Sequence, residues 1–208
     1  MPKGFLTEEA KRALTAAIQE CEQCSSAEIV VAVRGRAASY LHADLIAAMI
    51  AATATIAFLL YSPWVFPVWS FLVDPLLIGG LAGLATSHLP QVQRLLTPRA
   101  TREAWVRRAA HATFFEKQVR MTSGRTGVLV FVALTELRAV IVADVGVLDA
   151  VPEEAWHAAV ARVERAVAEG GDGVALAAAV ARLGEALSQG LDRSPDDINE
   201  LPDEVCAT

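Results

Sequence analysis

The side chains of this 208-residue chain best placed to do chemistry are Arg125 and Asp144. Arg125 stands just before an apolar run, 126–133, and Asp144 closes a second one, 138–144. A guanidinium and a carboxylate are therefore expected to reach a common edge of a sheet, where they would bind an anion or a metal–phosphate group. The plainer reading is a surface ion pair and a turn carboxylate, and we favour it because strand-end charges are ordinary on soluble sheets. Glu136 lies in the short connection between the two runs, where a solvated acid is the expectation.

Other reactive side chains have equally plain alternatives. Cys21 and Cys24 form a C-x-x-C pair, with Cys206 the remaining cysteine. Zinc would need further ligands at suitable spacing, and a redox pair normally opens a helix, where the dipole lowers a thiol pKa, whereas this pair closes one. Ordinary reduced cysteines are expected. His42, Asp44 and His88 flank the apolar block described next, and a metal or proton site there competes with simple interfacial capping, the favoured reading. His111 and His157 are expected at the surface of amphipathic helices. No G-x-x-x-x-G-K-[ST], G-x-S-x-G, H-E-x-x-H or G-x-G-x-x-G pattern is present.

The elements that must position these residues begin with that block. Residues 45–86 form a 42-residue stretch in which Asp74 is the sole charged residue. A bilayer core of about 30 Å needs about 20 helical residues, so the block suits two crossings. Pro63 and Pro67 break it, and Tyr61, Trp64 and Trp69 suit the interface. The sequence thus predicts a helical hairpin over 44–88, with spans at about 44–62 and 68–88. Asp74, before Pro75, is expected at the interface on the turn side. Gly79, Gly80 and Gly83 offer a small-residue packing face for hairpin closure or self-association. Arg34 and Arg36 precede the block, and Arg94, Arg99, Arg102, Arg107 and Arg108 follow it. By the positive-inside rule both flanks, and both termini, are cytoplasmic. The N-terminal residues lack the apolar core of a signal peptide.

The remaining 166 residues suffice for one hydrophobic core. Residues 1–40 supply a helix capped by Thr7, with Leu14 and Ile18 facing inward, and a strand at 27–33. Residues 95–190 supply an arginine-rich helix over 100–121, two strands (126–133 and 138–144) joined by a hairpin too short for a parallel crossover, and two helices starting near Pro152 and Asp172. The first of these helices is expected to bury Ala104, Trp105, Ala109, Ala112 and Phe115. Its Arg102, Arg107, Arg108, Lys117 and Arg120 would meet anionic lipid or merely set topology. Both later strands are nearly continuously apolar, so helices should cover both sheet faces. The expected fold class is α/β, a small mixed sheet sandwiched between helices (α/β/α) and interrupted by the transmembrane hairpin. Residues 191–208 form an acidic tail, expected to be extended. The composition, 54% hydrophobic with formal charge −6, excludes a disordered polymer, a disulfide scaffold and a dedicated nucleic-acid binder.

The helix–strand opening with AEIVVAV (27–33), the segment RTGVLVFVALTELRAVIVADVGV (125–147), the two closing helices and the tail DDINELPDEV (196–205) together resemble the TPM domain family. The likeness is to the bacterial subgroup with two membrane spans inserted after the first strand, and it covers about residues 1–60 and 90–205. It implies an α/β/α sandwich and a multi-pass protein of the bacterial inner membrane. Some plant relatives are associated with phosphatase activity and calcium binding, and another relative is an auxiliary subunit of a membrane receptor. In the family, acidic residues and an arginine at strand ends line a cleft; the matching positions are Arg125, Glu136 and Asp144. By resemblance these are candidate catalytic residues, Asp144 and Glu136 are candidate metal ligands, and Ca²⁺ or Mg²⁺ is a candidate ion, though no cofactor is required.

Two functions follow as expectations. The first is a non-catalytic module that assists assembly or stability of a membrane complex, with the bilayer, a membrane-protein partner or a second copy as its partners. The second is a metal-assisted phosphate-ester hydrolase using Asp144 and Arg125.

Overall fold

The computed structural model describes residues 4–193, 201 and 205–207. The chain divides into two compact units, residues 38–102 and the segments on either side, 1–37 with 103–208.

The split unit is a sheet between two helical layers. Its first helix, α1 (Glu8–Cys24), starts where the Thr7 hydroxyl accepts the Ala10 N–H at 3.1 Å. Strand β1 (Glu28–Arg34) pairs in parallel with β2 (Gly127–Ala133), and β2 pairs antiparallel with β3 (Arg138–Ala143). A two-residue strand, β4 (Cys206–Ala207), adds to β1, giving the order β3-β2-β1-β4. The sheet is therefore mixed, as the short β2–β3 connection requires.

Alternation along the strands sends side chains to two cores. Ile29, Val31 and Val33 join Val128, Val130 and Val132 beneath α1, α7 (Glu153–Ala168) and α8 (Gly173–Leu187). Val30, Ala32, Leu129, Phe131 and Ala133 face the long helix Arg99–Glu116, which is α5 in chain order. Every residue of β2 is buried, consistent with its unbroken apolar run. Strand β3 reaches both cores, Ile141 and Ala143 packing against the first and Val140 and Val142 against the second, in line with helices covering both sheet faces. It is an edge strand whose residues are half-buried apart from Ala139. Asp172 caps α8 by accepting the Ala175 N–H at 2.9 Å, and Gly170, at φ 77°, lets the chain turn out of α7.

Helix α5 departs from expectation. It ends at Glu116 rather than near 121, and its buried residues are Val106, Ala110, Thr113 and Phe114. The expected stripe is wrong by about one position: Ala112 and Phe115 are exposed, and Ala104, Trp105 and Ala109 are half-buried. With 3.6 residues per turn, Val106-Ala110-Thr113 is itself a proper i, i+4, i+7 series. The two series compete, and the sheet selects the one ending in a Phe114 that reaches Phe131 and Val119 in the same core.

The other unit holds α2 (Leu41–Tyr61), α3 (Ser70–Ser87) and the short α4 (Pro90–Leu96), the last unforeseen from sequence. Both α2 and α3 are long and apolar enough to cross a membrane. They pack closely because Gly79 and Gly83 lie against α2. A Cβ at Gly79 would lie 2.8 Å from the Ala48 carbonyl oxygen, and one at Gly83 would lie 3.1 Å from that of Asp44. Gly80 faces open space. The small residues thus serve hairpin closure within the chain. Of the acidic tail expected over 191–208, residues 194–200, 202–204 and 208 lie outside the described residues.

Candidate functional site

Arg125 and Asp144 do meet at one end of the sheet. The β2–β3 antiparallel register places the residues before β2 beside those after β3, and the Asp144 N–H donates to the Gly127 carbonyl at 2.9 Å. The guanidinium grips the carboxylate in a fork: Arg125 Nη2 donates to Asp144 Oδ1 at 2.8 Å, and Nε donates to Oδ2 at 3.1 Å. Asp144 Oδ1 also accepts the Val145 N–H at 2.7 Å, which makes Asp144 the N-cap of α6 (Val145–Ala150). That short helix was not foreseen. Its signal was an Asp closing a strand and opening an apolar run, a cap pattern. Val147 of α6 enters the core beneath α7 and α8.

The electrostatics follow from this placement. Asp144 is 6% exposed, while the Arg125 side chain, at 59%, lies open to solvent. Burial pushes the Asp144 carboxyl upward, but the Arg125 hydrogen bonds, the Val145 N–H and the charges of Arg125 and Arg120 outweigh it, holding it below the usual carboxylate range. Arg125 is raised in turn, by its hydrogen bonds to Asp144 and by that charge. Arg125 itself takes a left-handed backbone, φ 54°, which costs a non-glycine residue about 1–2 kcal/mol. The loop that holds it is tied down. The Thr126 N–H donates to Thr122 Oγ1 at 2.9 Å, the Thr126 hydroxyl to the Ser26 carbonyl at 2.8 Å, and the Gly146 N–H to the Arg125 carbonyl at 3.0 Å.

Glu136 lies at the opposite end of the same hairpin. With seven chain steps from Leu137 to Asp144, the two acids are separated by on the order of 20 Å. Nor is Glu136 the solvated turn acid expected from sequence: it is 2% exposed. Its Oε1 accepts the Ala37 N–H at 3.1 Å, where the chain leaving β1 runs beside the turn and the Leu134 N–H donates to the Arg34 carbonyl at 3.0 Å. Glu136 therefore pins the exit of β1. A groove of about 240 Å³ lies at this end, lined by Arg138, Glu164 and Arg165 among others.

These positions bear on the ion that the resemblance implies. Ca²⁺ takes six to eight oxygen ligands. Here both Asp144 oxygens are engaged by a guanidinium, and Glu136 is at the far end of the sheet, so the two acids do not fit one metal centre. Among the described residues no group of three or more His, Cys, Asp or Glu side chains is arranged to hold a metal ion.

Of the remaining candidates, Cys21, His42 and Asp44 have local partners. The Cys21 thiol is buried between α1 and α8 and donates to the Val180 carbonyl at 3.3 Å. Burial pushes it up to about 12, far from a reactive thiolate, while Cys24 is exposed. In the hairpin unit, Asp44 Oδ1 accepts from Gln93 Nε2 at 3.0 Å, and His42 Nε2 lies 2.9 Å from Thr97 Oγ1. His88, the C-cap of α3, is exposed, as are His111 and His157. Gln93 and Thr97, both fully or nearly buried, were missed by the sequence reading, because a Gln and a Thr near a membrane segment carry no distinctive spacing. Glu28 was also missed. It is buried at the start of β1, and its Oε2 accepts the Leu201 N–H at 3.2 Å.

No family model matches the chain, and no curated protein matches it. A solved structure that shares the fold is the NMR structure of the BA42 protein from the psychrophilic bacterium Bizionia argentinensis sp. nov.. That match has a TM-score of 0.61 at 19% identity and covers 100% of this chain and 99% of the other. At this identity the likeness is one of fold.

Proposed function

We propose that the chain is a two-span inner-membrane protein of the TPM type, with both termini and its α/β unit in the cytoplasm. In this reading the α/β unit is a non-catalytic module that assists the assembly or stability of a membrane complex. The observation that carries the membrane reading is the mismatch between apolarity and burial in the hairpin. The apolar windows of α2 and α3 have mean hydropathies of 2.1 and 1.4, yet only 11% and 22% of them are buried. A core helix of a soluble protein would bury most of such a surface. Leu45, Met49, Ile50, Leu60, Leu72 and Leu76 instead project outward. Trp64 and Trp69, both exposed, bracket the turn between the spans, where interfacial aromatics belong.

The non-catalytic part rests on the clasp geometry. The carboxylate of Asp144 is spent on Arg125 and a helix cap, and Glu136, which accepts the Ala37 N–H through Oε1, lies at the far end of the hairpin, so the three do not share one cleft in which an ester could sit. The sandwich order, with the hairpin between β1 and β2, agrees with what the resemblance implies.

Two measurements test this reading. The membrane fraction should retain the protein after alkaline carbonate, and release into the supernatant would overturn the spanning hairpin. Detergent-purified protein should hydrolyse p-nitrophenyl phosphate, with or without Ca²⁺ or Mg²⁺, no faster than a folded Asp144→Asn variant. Turnover that the variant loses would establish the hydrolase instead. For the assembly role, native electrophoresis of membranes from a deletion strain should show a depleted complex that the intact gene restores, and an unchanged pattern would refute it.

A further inference from the structure

The register of α5 gives its outer surface a composition that the expected stripe would have hidden. With Val106, Ala110 and Phe114 against the sheet, the opposite side presents Arg107, Arg108, His111 and Phe115. Phe115 is 58% exposed, and Met121, in the turn that follows, is 64% exposed. The Arg120 guanidinium lies over the Phe115 ring, 5.3 Å from its centroid. Among the described residues, Arg107, Arg108 and Lys117 are paired with no acid. The one acid on this stretch of helix end, Glu116, is held by Arg34 at 3.3 Å. The asymmetry is strong for an acidic chain: residues 94–125 contain eight Arg and Lys against two Glu, in a protein of formal charge −6.

We infer that this face, built from Arg107, Arg108, Phe115, Lys117, Arg120 and Met121, docks on the anionic phospholipid headgroups of a bilayer. Cations would meet lipid phosphates while Phe115 and Met121 enter the headgroup–acyl boundary, the division of labour seen in interfacial basic helices. The lone aromatic flanked by an aliphatic thioether suits an apolar boundary better than a nucleic acid, which would call for successive stacking platforms. The inference rests on the membrane reading in one respect: if α3 is a span, the 88–98 connection, most of it the helix α4, can separate the end of α3 from the start of α5 by no more than about 30 Å.

The test uses the full-length protein with Cys24→Ser, Cys206→Ser and Ala112→Cys, leaving the buried Cys21 in place. An environment-sensitive fluorophore on residue 112 reports on the outer face of α5 in nanodiscs containing doxyl-labelled lipid. Quenching should be at least about two-fold stronger in discs with phosphatidylglycerol than in pure phosphatidylcholine, and high salt should remove the difference. The quadruple variant Arg107→Glu, Arg108→Glu, Lys117→Glu, Arg120→Glu should remove it as well. Phe115→Ser, a milder change at an exposed position, should weaken it with unchanged far-UV dichroism. Equal quenching in the two lipids, or a difference indifferent to both variants, would overturn the inference. So would salt-labile nucleic acid or an acidic protein occupying the face in place of lipid. If the hairpin fails the carbonate test, vesicle flotation decides separately: binding to phosphatidylglycerol but not phosphatidylcholine vesicles upholds the α5 surface without the spans, and equal binding overturns it.

Discussion

Removing the Asp144 side chain should loosen the α/β unit by an amount that its bonds define. Asp144→Ala deletes the N-cap of α6, a loss of about 0.5–2 kcal/mol. The pairing with Arg125 adds little, because that guanidinium is solvated and an exposed partner is strongly screened. The opening equilibrium should therefore rise by about 2- to 30-fold. Cys21 provides the readout. Its thiol is 2% exposed and pushed up to about 12 by burial, so a maleimide labels it only when α1 and α8 part. With Cys24 and Cys206 replaced by Ser, the labelling rate at pH 7 should increase by that factor in Asp144→Ala. It should increase far less in Asp144→Asn, which retains an oxygen to accept the Val145 N–H. If the Asn variant opens as readily as the Ala variant, charge rather than capping governs the site. If neither changes the labelling of Cys21, α6 is not part of the cooperative unit that buries it, and the reasoning fails. The pH dependence has a definite sign. Because the folded Asp144 carboxyl lies below its ordinary value, its ionic contribution is complete above the unfolded pKa of about 3.9 and is lost as pH falls through the lower folded value. Thermal melts should show the wild-type advantage over Asp144→Ala constant between pH 6 and 8 and shrinking on acidification.

Three further outcomes are expected from the packing. Gly79→Ile should destabilise the hairpin by about 1–3 kcal/mol, since the new side chain meets the Ala48 carbonyl, while Gly80→Ile, which faces open space, should be tolerated; thermal aggregation midpoints in detergent distinguish them. Gly184→Ala should clash with the Sγ and Cβ of Cys21, and Cys21→Ala should relieve only the sulfur part, so a double-mutant cycle in chemical denaturation should give a partial rescue. Glu136→Ala should remove the acceptor of the half-buried Ala37 N–H at a cost of about 1 kcal/mol, seen as a lower melting midpoint, without creating or removing any hydrolytic activity.

How far the sequence could be read depended on whether a feature was local. Thr7 and Asp172 announced their helices because a cap is a contact three residues long, and both cap bonds are in place. The β2–β3 hairpin was equally legible, since four connecting residues leave no room for another topology. The Arg125–Asp144 encounter followed from that hairpin, whereas the fate of Glu136 did not. Its burial depends on the chain leaving β1, a hundred residues earlier in sequence, coming to lie beside the turn. Periodicity has no access to such a contact.

Helix α5 marks the boundary most clearly. Its apolar residues satisfy two helical stripes about 100° apart, one through Trp105, Ala109, Ala112 and the other through Val106, Ala110, Thr113. Nothing local decides between them, and alanine weights both alike. The decision comes from the sheet, where Phe131 and Leu129 point to the α5 side because β2 is pleated and its other residues are claimed by α7 and α8. Phe114 completes that core, and one residue later Phe115 must then face out among arginines. The exposed aromatic is thus a consequence of the strand register. The composition of that surface was therefore written in the pleat of β2 rather than in the helix that carries it.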